Sequence, residues 1–455
     1  MISKDNIKIH NTTECIGEIV VSADKSISHR AVILSSLAAG SSKIDNLLYS
    51  KDVIRTLNMF KKLGVVLKKK KNILHIYSLG FKNLKPNKDK IVLNAGNSGT
   101  TARLMMGVLS GLNFNTKITL TGDSSLKKRP MSRVIEPLKL MGADIVSKNG
   151  FLPVIITPQK LNSINYQLNI ASAQVKSAIL LASLFTKNAN TTLIEKHQSR
   201  NHSELMLKNL GINISTTASD IYDNNVITVN NNSKNLIPYD YNIPNDFSSA
   251  SFFIILALIT PNSNLTIKSV NLNTYRTGLL VVLKQMGAKI NILNTTKING
   301  EDVGDINIKS EENNILQGVN VDEKLNAFMI DEFPILAVLS LFAKGETIFN
   351  NVEELKYKES NRLKSIIDNL KALGFNVVEY ENGLKIKGCL DRSIPYDNKI
   401  LYLDSFKDHR IAMSFLILGS TFKNTLTVAN CKNIDTSFPT FFEIANKIGL
   451  NLKYV

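Results

Sequence analysis

A helix that ends in glycine and is followed by an alternating strand occurs six times in this chain, and that repeat limits its fold more than any other feature. The segments are LNMFKKLGVVLK, IEPLKLMGADIV, LMLKNLGINI, LLVVLKQMGAKINI, IIDNLKALGFNVV and FEIANKIGLNLKYV, with their glycines at Gly64, Gly142, Gly211, Gly287, Gly374 and Gly449. In each, apolar positions recur at helical spacing, glycine can take the left-handed conformation that closes a helix, and the residues after it alternate as in a half-buried strand. Between these lie six helices apolar on nearly every side: SHRAVILSSLAAG, TTARLMMGVLSG, QVKSAILLASLF, SSASFFIILALI, FPILAVLSLFAKG and RIAMSFLILGS. A helix without a polar face must lie among its neighbours or under a sheet. A module of about 75 residues repeated six times therefore predicts an internally symmetric, layered α/β body of two groups of three.

The change of pattern at DYNIPNDFSSAS, with Pro244, marks a boundary. One lobe is expected at residues 23–243, and the other at 1–22 plus 244–455, with the first strand, CIGEIVV, crossing to join it. The N-terminal residues lack the apolar run of a secretory signal, and no segment reaches membrane-spanning length, so a cytoplasmic protein without a membrane partner is expected. Cys15, Cys389 and Cys431 are far apart and in no metal-ligand spacing, which argues against zinc or a disulfide framework. The net charge of +17 is compatible with a polyanionic partner or with small anionic substrates. Lysines are spread along the whole chain, the cluster Lys68 to Lys71 falls where a strand should turn, and aromatics do not interleave with basic residues. The expectation is a solvated surface and no nucleic acid.

Polar clusters stand at the entrances of the apolar helices: DKSISHR, NAGNSGTTAR, ASAQVKS, NDFSSAS, DEFP and DHR. Helix N-termini offer unpaired N–H groups and a partial positive charge, and so favour anions. Ser26, Ser28, Thr100, Ser248, Asp246, Asp331 and Asp408 are residue types that cap helices. Lys25, Arg30, Arg103, Lys176 and Arg410 are different, because a cation opposes the dipole there, and the expectation is that each faces a bound anion. KYKESNRL spaces Glu359 and Arg362 for an ordinary surface ion pair. LNAGNSGTTAR matches neither a dinucleotide nor a Walker fingerprint, and Gly96 and Gly99 more simply let a ligand approach the backbone.

Taken in order, DKSISHRA, GNSGTTARL, GDSSLKKRPM, SAQVKSAILLA, SSASFF, KESNRL and DHRIAM resemble the 3-phosphoshikimate 1-carboxyvinyltransferases, the enolpyruvylshikimate-phosphate synthases of aromatic amino-acid biosynthesis. The resemblance runs from Ala23 to Pro439. It implies the two-lobed enolpyruvyl transferase fold, α/β (α+β), with six βαβαββ repeats, three per lobe, buried parallel helices, and an active site in the cleft between lobes. It also implies that phosphoenolpyruvate and shikimate 3-phosphate give the enolpyruvyl ether and phosphate, with no metal or organic cofactor and with the chain acting as a monomer.

By the same resemblance, Lys25, Asn97, Gly99, Arg129, Gln174, Arg362 and Arg410 hold phosphoenolpyruvate. Lys25, Ser26, Arg30, Ser172, Ala173, Gln174, Ser199, Arg200, Asp331 and Lys358 hold shikimate 3-phosphate. Asp331 is the base for the 5-hydroxyl and Glu359 the proton donor to the methylene carbon, with Lys25 assisting. Asn201, Asn361 and Thr436 depart from the family pattern, and Ala173 stands where a second serine could be. These departures point to a branch that includes inhibitor-tolerant members, but Gly99 is retained, so glyphosate is expected to compete. The alternative is a UDP-N-acetylglucosamine enolpyruvyl transferase; it is disfavoured because GDSSLKKRPM lacks the loop cysteine of that family.

Overall fold

The computed structural model describes residues 5–12, 14–86, 90–186, 190–219, 224–230, 236–311, 315–389, 401–422 and 425–455. The chain divides into two compact units, Ala23–Ile243 with Ile298–Glu301, and Met1–Ser22 with Pro244–Lys297 and Asp302–Val455. We refer to the second, which carries both chain ends, as the terminal unit. The short segment 298–301 lies with the 23–243 unit, whereas a contiguous 244–455 lobe was expected.

The 23–243 unit contains helices α1 (Lys25–Leu37), α2 (Lys51–Lys62), α3 (Gly99–Ser110), α4 (Ser132–Leu140), α5 (Ala173–Ser183) and α6 (His202–Asn209). The terminal unit contains α7 (Phe247–Ile259), α8 (Gly278–Gln285), α9 (Phe333–Ser340), α10 (Arg362–Ala372), α11 (His409–Gly419) and α12 (Phe441–Lys447). The odd-numbered helices are the apolar ones, and almost every residue in them is buried. The even-numbered helices bury one face and stop where Gly64, Gly142, Gly211, Gly287, Gly374 and Gly449 take φ between 80° and 100°, a conformation that costs other residues a Cβ clash.

Among the described residues, strands form six small sheets, three in each unit. Residues 91–94 pair in parallel with 118–121, which pair antiparallel with 151–157, which pair antiparallel with 144–148. The same order recurs in the sheet of 165–168, 190–195, 224–230 and 213–219. In the terminal unit, strand 7–10 lies between 426–429 and 451–454, and strand 16–19 runs parallel to 264–271. The sheet of 346–349, 383–387 and 377–380 has three strands, with isolated bridges from Gln317 and Asn320 in place of the fourth. Alternation decides which face is buried. Ile91, Ile118, Ile156 and Ile145 form one buried row across their sheet, while Val92, Ile155 and Val146 of the next row are exposed.

Each unit has its own hydrophobic core around its three apolar helices. Lys68, Lys69 and Lys70 lie on the edge strand 66–70 and Lys71 in the turn after it; charge on an edge strand discourages pairing with another chain. No helix among the described residues is long and apolar enough to cross a membrane.

Candidate active site

The entrance of α1 is capped by Asp24, whose carboxylate accepts from the Ile27 N–H at 2.8 Å, and not by Ser26 or Ser28. Ser28 is buried and accepts from the Leu48 N–H instead. Lys25 Nζ lies 3.3 Å from Asp52 Oδ2 in the first turn of α2. Arg30 is buried one turn inside α1. Its Nε donates to Ser203 Oγ at 2.8 Å, Nη1 to the Ser26 carbonyl at 2.9 Å and Nη2 to Ser177 Oγ at 2.7 Å. Burial pushes this guanidinium down to about 10, against the pull of Glu204 and Asp24.

At α3 the cap is Ser98, which accepts from the Thr101 N–H at 3.1 Å; Thr100 is inside the helix and accepts from Gln174 Nε2 at 2.9 Å. Arg103 Nη1 donates to Gln174 Oε1 at 2.8 Å, so this glutamine is fixed from both ends. Arg129 Nη2 donates to Asn97 Oδ1 at 2.5 Å. A Cβ on Gly99 would lie 2.7 Å from Arg103 Nη1 and 3.5 Å from Arg129 Nη1, so the missing side chain lets two guanidinium groups reach the start of α3. Asn97, Gly99, Arg129 and Gln174, far apart in sequence, thus belong to one constellation.

Ser172 caps α5 by accepting from the Val175 N–H, and Ala173 is the first helical residue. Lys176 corrects the sequence expectation that a cation at a helix start faces an external anion. Its ammonium is buried and makes ion pairs to Glu195 at 3.1 Å and Glu204 at 2.7 Å, with a hydrogen bond to the Ser199 carbonyl at 3.2 Å. Burial raises the Glu195 carboxyl despite Lys176 and the Ser199 hydroxyl, which donates to it at 2.6 Å. Arg200 follows in the same loop, and Asn201 stands at the start of α6 without a side-chain cap bond.

The terminal unit gathers a second set. Arg362 opens α10 with its side chain almost fully buried. It pairs with Asp331 Oδ1 at 3.2 Å, Glu359 Oε2 at 2.5 Å and Asp408 Oδ2 at 2.9 Å. The expected surface pair Glu359–Arg362 is therefore part of a three-carboxylate site, with Arg362 and Asp408 buried and Asp331 and Glu359 half-buried. Burial lowers this guanidinium's pKa, but Asp408, Glu359 and Asp331 outweigh it and raise it above arginine's ordinary value. For Asp408, burial pushes the carboxyl up, and Arg362 more than offsets that, leaving it below its usual value of 3.8. Asp408 also caps α11 by accepting from the Arg410 N–H at 2.9 Å.

Asp331 is not a cap: Glu332 occupies that position of α9, with no side-chain cap bond. Asp331 instead lies 3.4 Å from Arg410 Nε, and its carbonyl accepts from Arg410 Nη1 at 3.1 Å. Lys358 is half-buried, and burial lowers its ammonium's pKa against the pull of Asp331 and Glu354. Behind this set Glu332, fully buried, accepts from Arg276 Nη1 at 2.9 Å and from the Ser248 hydroxyl, and Arg276 Nη2 reaches the α7 cap Asp246 at 3.1 Å. Among the departures from the family pattern, Asn361 caps α10 through the Lys364 N–H, a role asparagine fills as well as aspartate. The Thr436 hydroxyl bonds the Asn433 carbonyl.

Sequence reasoning missed Asp52, Glu195, Glu204, Arg276 and Glu332. Asp52 and Glu204 read as ordinary first-turn acids of α2 and α6, and Glu195 as the end of a strand. Glu332 and Glu204 had adjacent signals, because they share the DEFP entrance with Asp331 and the SRNHSE segment with Ser199, Arg200 and Asn201. Among the described residues no group of three or more His, Cys, Asp or Glu is placed to hold a metal ion.

Comparison with known proteins matches these observations to one family. The model of EPSP synthase (3-phosphoshikimate 1-carboxyvinyltransferase) matches residues 9–444. A 3-phosphoshikimate 1-carboxyvinyltransferase of Thermodesulfovibrio yellowstonii is 45% identical over 434 residues, 94% of this chain and 96% of its own. One of Petrotoga mobilis is 43% identical over 97% of this chain and 99% of its own. The solved EPSP synthase of Acinetobacter baumannii superposes with a TM-score of 0.83 at 35% identity, covering 99% of both chains. The enolpyruvyl transferase NikO of Streptomyces tendae, 16% identical, shares the fold with a TM-score of 0.77 over 99% of both.

Proposed function

Because the chain belongs to the EPSP synthase family, we propose that both residue sets serve one reaction, transfer of the enolpyruvyl group of phosphoenolpyruvate to the 5-hydroxyl of shikimate 3-phosphate with release of phosphate. The observation that carries this reading is the terminal set, where two carboxylates suited to acid–base work, Asp331 and Glu359, share one buried guanidinium.

Asp331 takes the proton of the 5-hydroxyl as its oxygen attacks C2 of phosphoenolpyruvate, and Glu359 delivers a proton to C3. The Glu359 carboxylate left by that transfer then takes a proton back from C3 of the tetrahedral intermediate as the C2–O bond to phosphate breaks, giving the enol ether and inorganic phosphate. Substrate anions approaching Arg362 supply the negative potential that loads Glu359 with its proton. Lys25, Arg129, Arg362 and Arg410 engage phosphoenolpyruvate, with Asn97 and Gln174 orienting its neighbours and Gly99 leaving room beside the backbone. Ser26 and Arg30 take the shikimate carboxylate, and Ser172, Ser199, Arg200 and Lys358 the 3-phosphate, with Ala173 contributing only backbone. Arginine matches planar carboxylates and phosphates with two parallel bonds, which lysine cannot do.

One chain carries every residue assigned, so the reading includes action as a monomer, which sedimentation velocity tests, and a cytoplasmic setting. Steady-state kinetics tests the assignment. Lys358→Met is expected to raise KM for shikimate 3-phosphate by about tenfold or more, and Arg129→Met to do so for phosphoenolpyruvate. Equal effects on both substrates would contradict it. Glyphosate is expected to compete with phosphoenolpyruvate, and Gly99→Ala to weaken it; an unchanged inhibition constant in that variant would refute this part.

A further inference from the structure

Lys176 has three ammonium protons and three buried acceptors, the carboxylates of Glu195 and Glu204 and the Ser199 carbonyl. These acceptors come from separate elements. Glu195 ends strand 190–195, Glu204 is in the first turn of α6, and Ser199 lies in the loop that joins them. One ammonium on α5 therefore closes both ends and the middle of that loop. Glu195 fixes the loop a second time through the Ser199 hydroxyl, at 2.6 Å. Ser203, beside Glu204, accepts from Arg30 Nε and shares a 2.7 Å hydrogen bond with Ser177, one residue after Lys176.

The cluster is sealed from solvent, its side chains being between 1% and 6% exposed. With every proton of Lys176 directed inward, the side chain has none to offer a substrate. Its contacts end on Ser199 and run, through Ser203, to Arg30, residues assigned above to shikimate 3-phosphate and none assigned to phosphoenolpyruvate alone. We propose that Lys176, Glu195 and Glu204 are positioning residues for the acceptor substrate, holding the 196–203 segment so that Arg200 and Arg30 meet shikimate 3-phosphate in a fixed geometry. This inference rests on the residue assignment made above.

Kinetics of the full-length chain tests it. Lys176→Met combined with Glu195→Gln removes one cation and one carboxylate, keeps the net buried charge, and leaves Ser199 an oxygen to bond. The expected result is a rise of about tenfold in KM for shikimate 3-phosphate, with KM for phosphoenolpyruvate within about twofold and kcat within about threefold. A merely structural role would lower the active fraction and hence kcat, with neither KM selectively moved, and that result would overturn the inference. If the double variant does not fold, adding Glu204→Gln neutralises the last buried charge, and the same selective rise is expected. Arg200→Met and Arg30→Met, which leave the Lys176 cluster intact, separate a failed site assignment from a failed positioning role. If neither raises KM for shikimate 3-phosphate, the site assignment fails. If they do and the Lys176 variants do not, the assignment stands and the positioning role is wrong.

Discussion

Arg30 and Arg362 are both buried, both near the start of a helix, and solvated by the protein in opposite ways. Arg30 is held by two serine hydroxyls and a carbonyl, and burial lowers its pKa to about 10. Arg362 is held by three carboxylates, which overcome burial and raise its pKa. Neutral dipoles orient a guanidinium without cancelling its charge, so on the proposed assignment Arg30 keeps a positive potential for the substrate carboxylate. The charge of Arg362 is already answered, and a substrate anion must share it with Asp331, Glu359 and Asp408. On the assignment proposed above, the contrast separates the tasks: the first arrangement binds an anion, while the second binds one and perturbs the carboxylates that move protons.

Removing each arginine tests that contrast most severely. Arg362→Met leaves the buried Asp408 carboxylate without its cation and Asp331 with Arg410 alone, and a loss of about 3–5 kcal/mol in urea denaturation is expected, because an uncompensated buried charge is more costly than the pair was favourable. Arg30→Met leaves only neutral acceptors, and a smaller loss, about 1–2 kcal/mol, is expected. Equal losses would break the comparison. In steady-state kinetics the Arg30 variant should raise KM for shikimate 3-phosphate by about 10- to 100-fold and leave phosphoenolpyruvate nearly untouched.

A smaller effect is expected at Gly99, where an alanine Cβ would press on Arg103 Nη1 at 2.7 Å. The Arg103 head can move aside only by loosening its bond to Gln174, so Gly99→Ala should raise KM for phosphoenolpyruvate by about three- to tenfold, without a measurable change in melting temperature. The smallest effect sharpens the Arg362 side through pH. The folded Asp408 carboxyl lies below its ordinary value of 3.8, so its stabilising contribution is complete above that pH and lost as pH falls through the folded value. The stability gap between the wild type and Asp408→Asn, which retains a capping side chain, should narrow only below about pH 3.8. A gap independent of pH across the acid range would mean that the Arg362–Asp408 charge pair contributes nothing to the fold.

Much of the architecture was legible in the sequence because it is written in local patterns. Gly64 and its five counterparts mark helix ends through backbone sterics, and the apolar helices declare their burial by having no polar face. Identities of the caps were less legible: Asp24 rather than Ser26, and Ser98 rather than Thr100, because several good capping residues stand in a row and backbone geometry chooses among them. The partners of buried cations were the least legible. Lys176 reaches Glu195 and Glu204 only through tertiary packing, and Lys25 meets Asp52 from a neighbouring helix. A helix-dipole argument sees only the residue's own helix, so it assigned the anion facing Lys176 to a ligand when the protein itself supplies it. Arg362 escaped a buried reading for the same reason, because its i,i+3 spacing to Glu359 looks identical on a solvated helix.

The most direct test is phosphate release from phosphoenolpyruvate by the purified chain, with shikimate 3-phosphate or UDP-N-acetylglucosamine as acceptor, compared with Asp331→Asn. The account predicts release with shikimate 3-phosphate alone, and a fall of about 10²- to 10⁴-fold in the variant with shikimate 3-phosphate still bound. No release from the wild type with that acceptor, or undiminished release from Asp331→Asn, would contradict it.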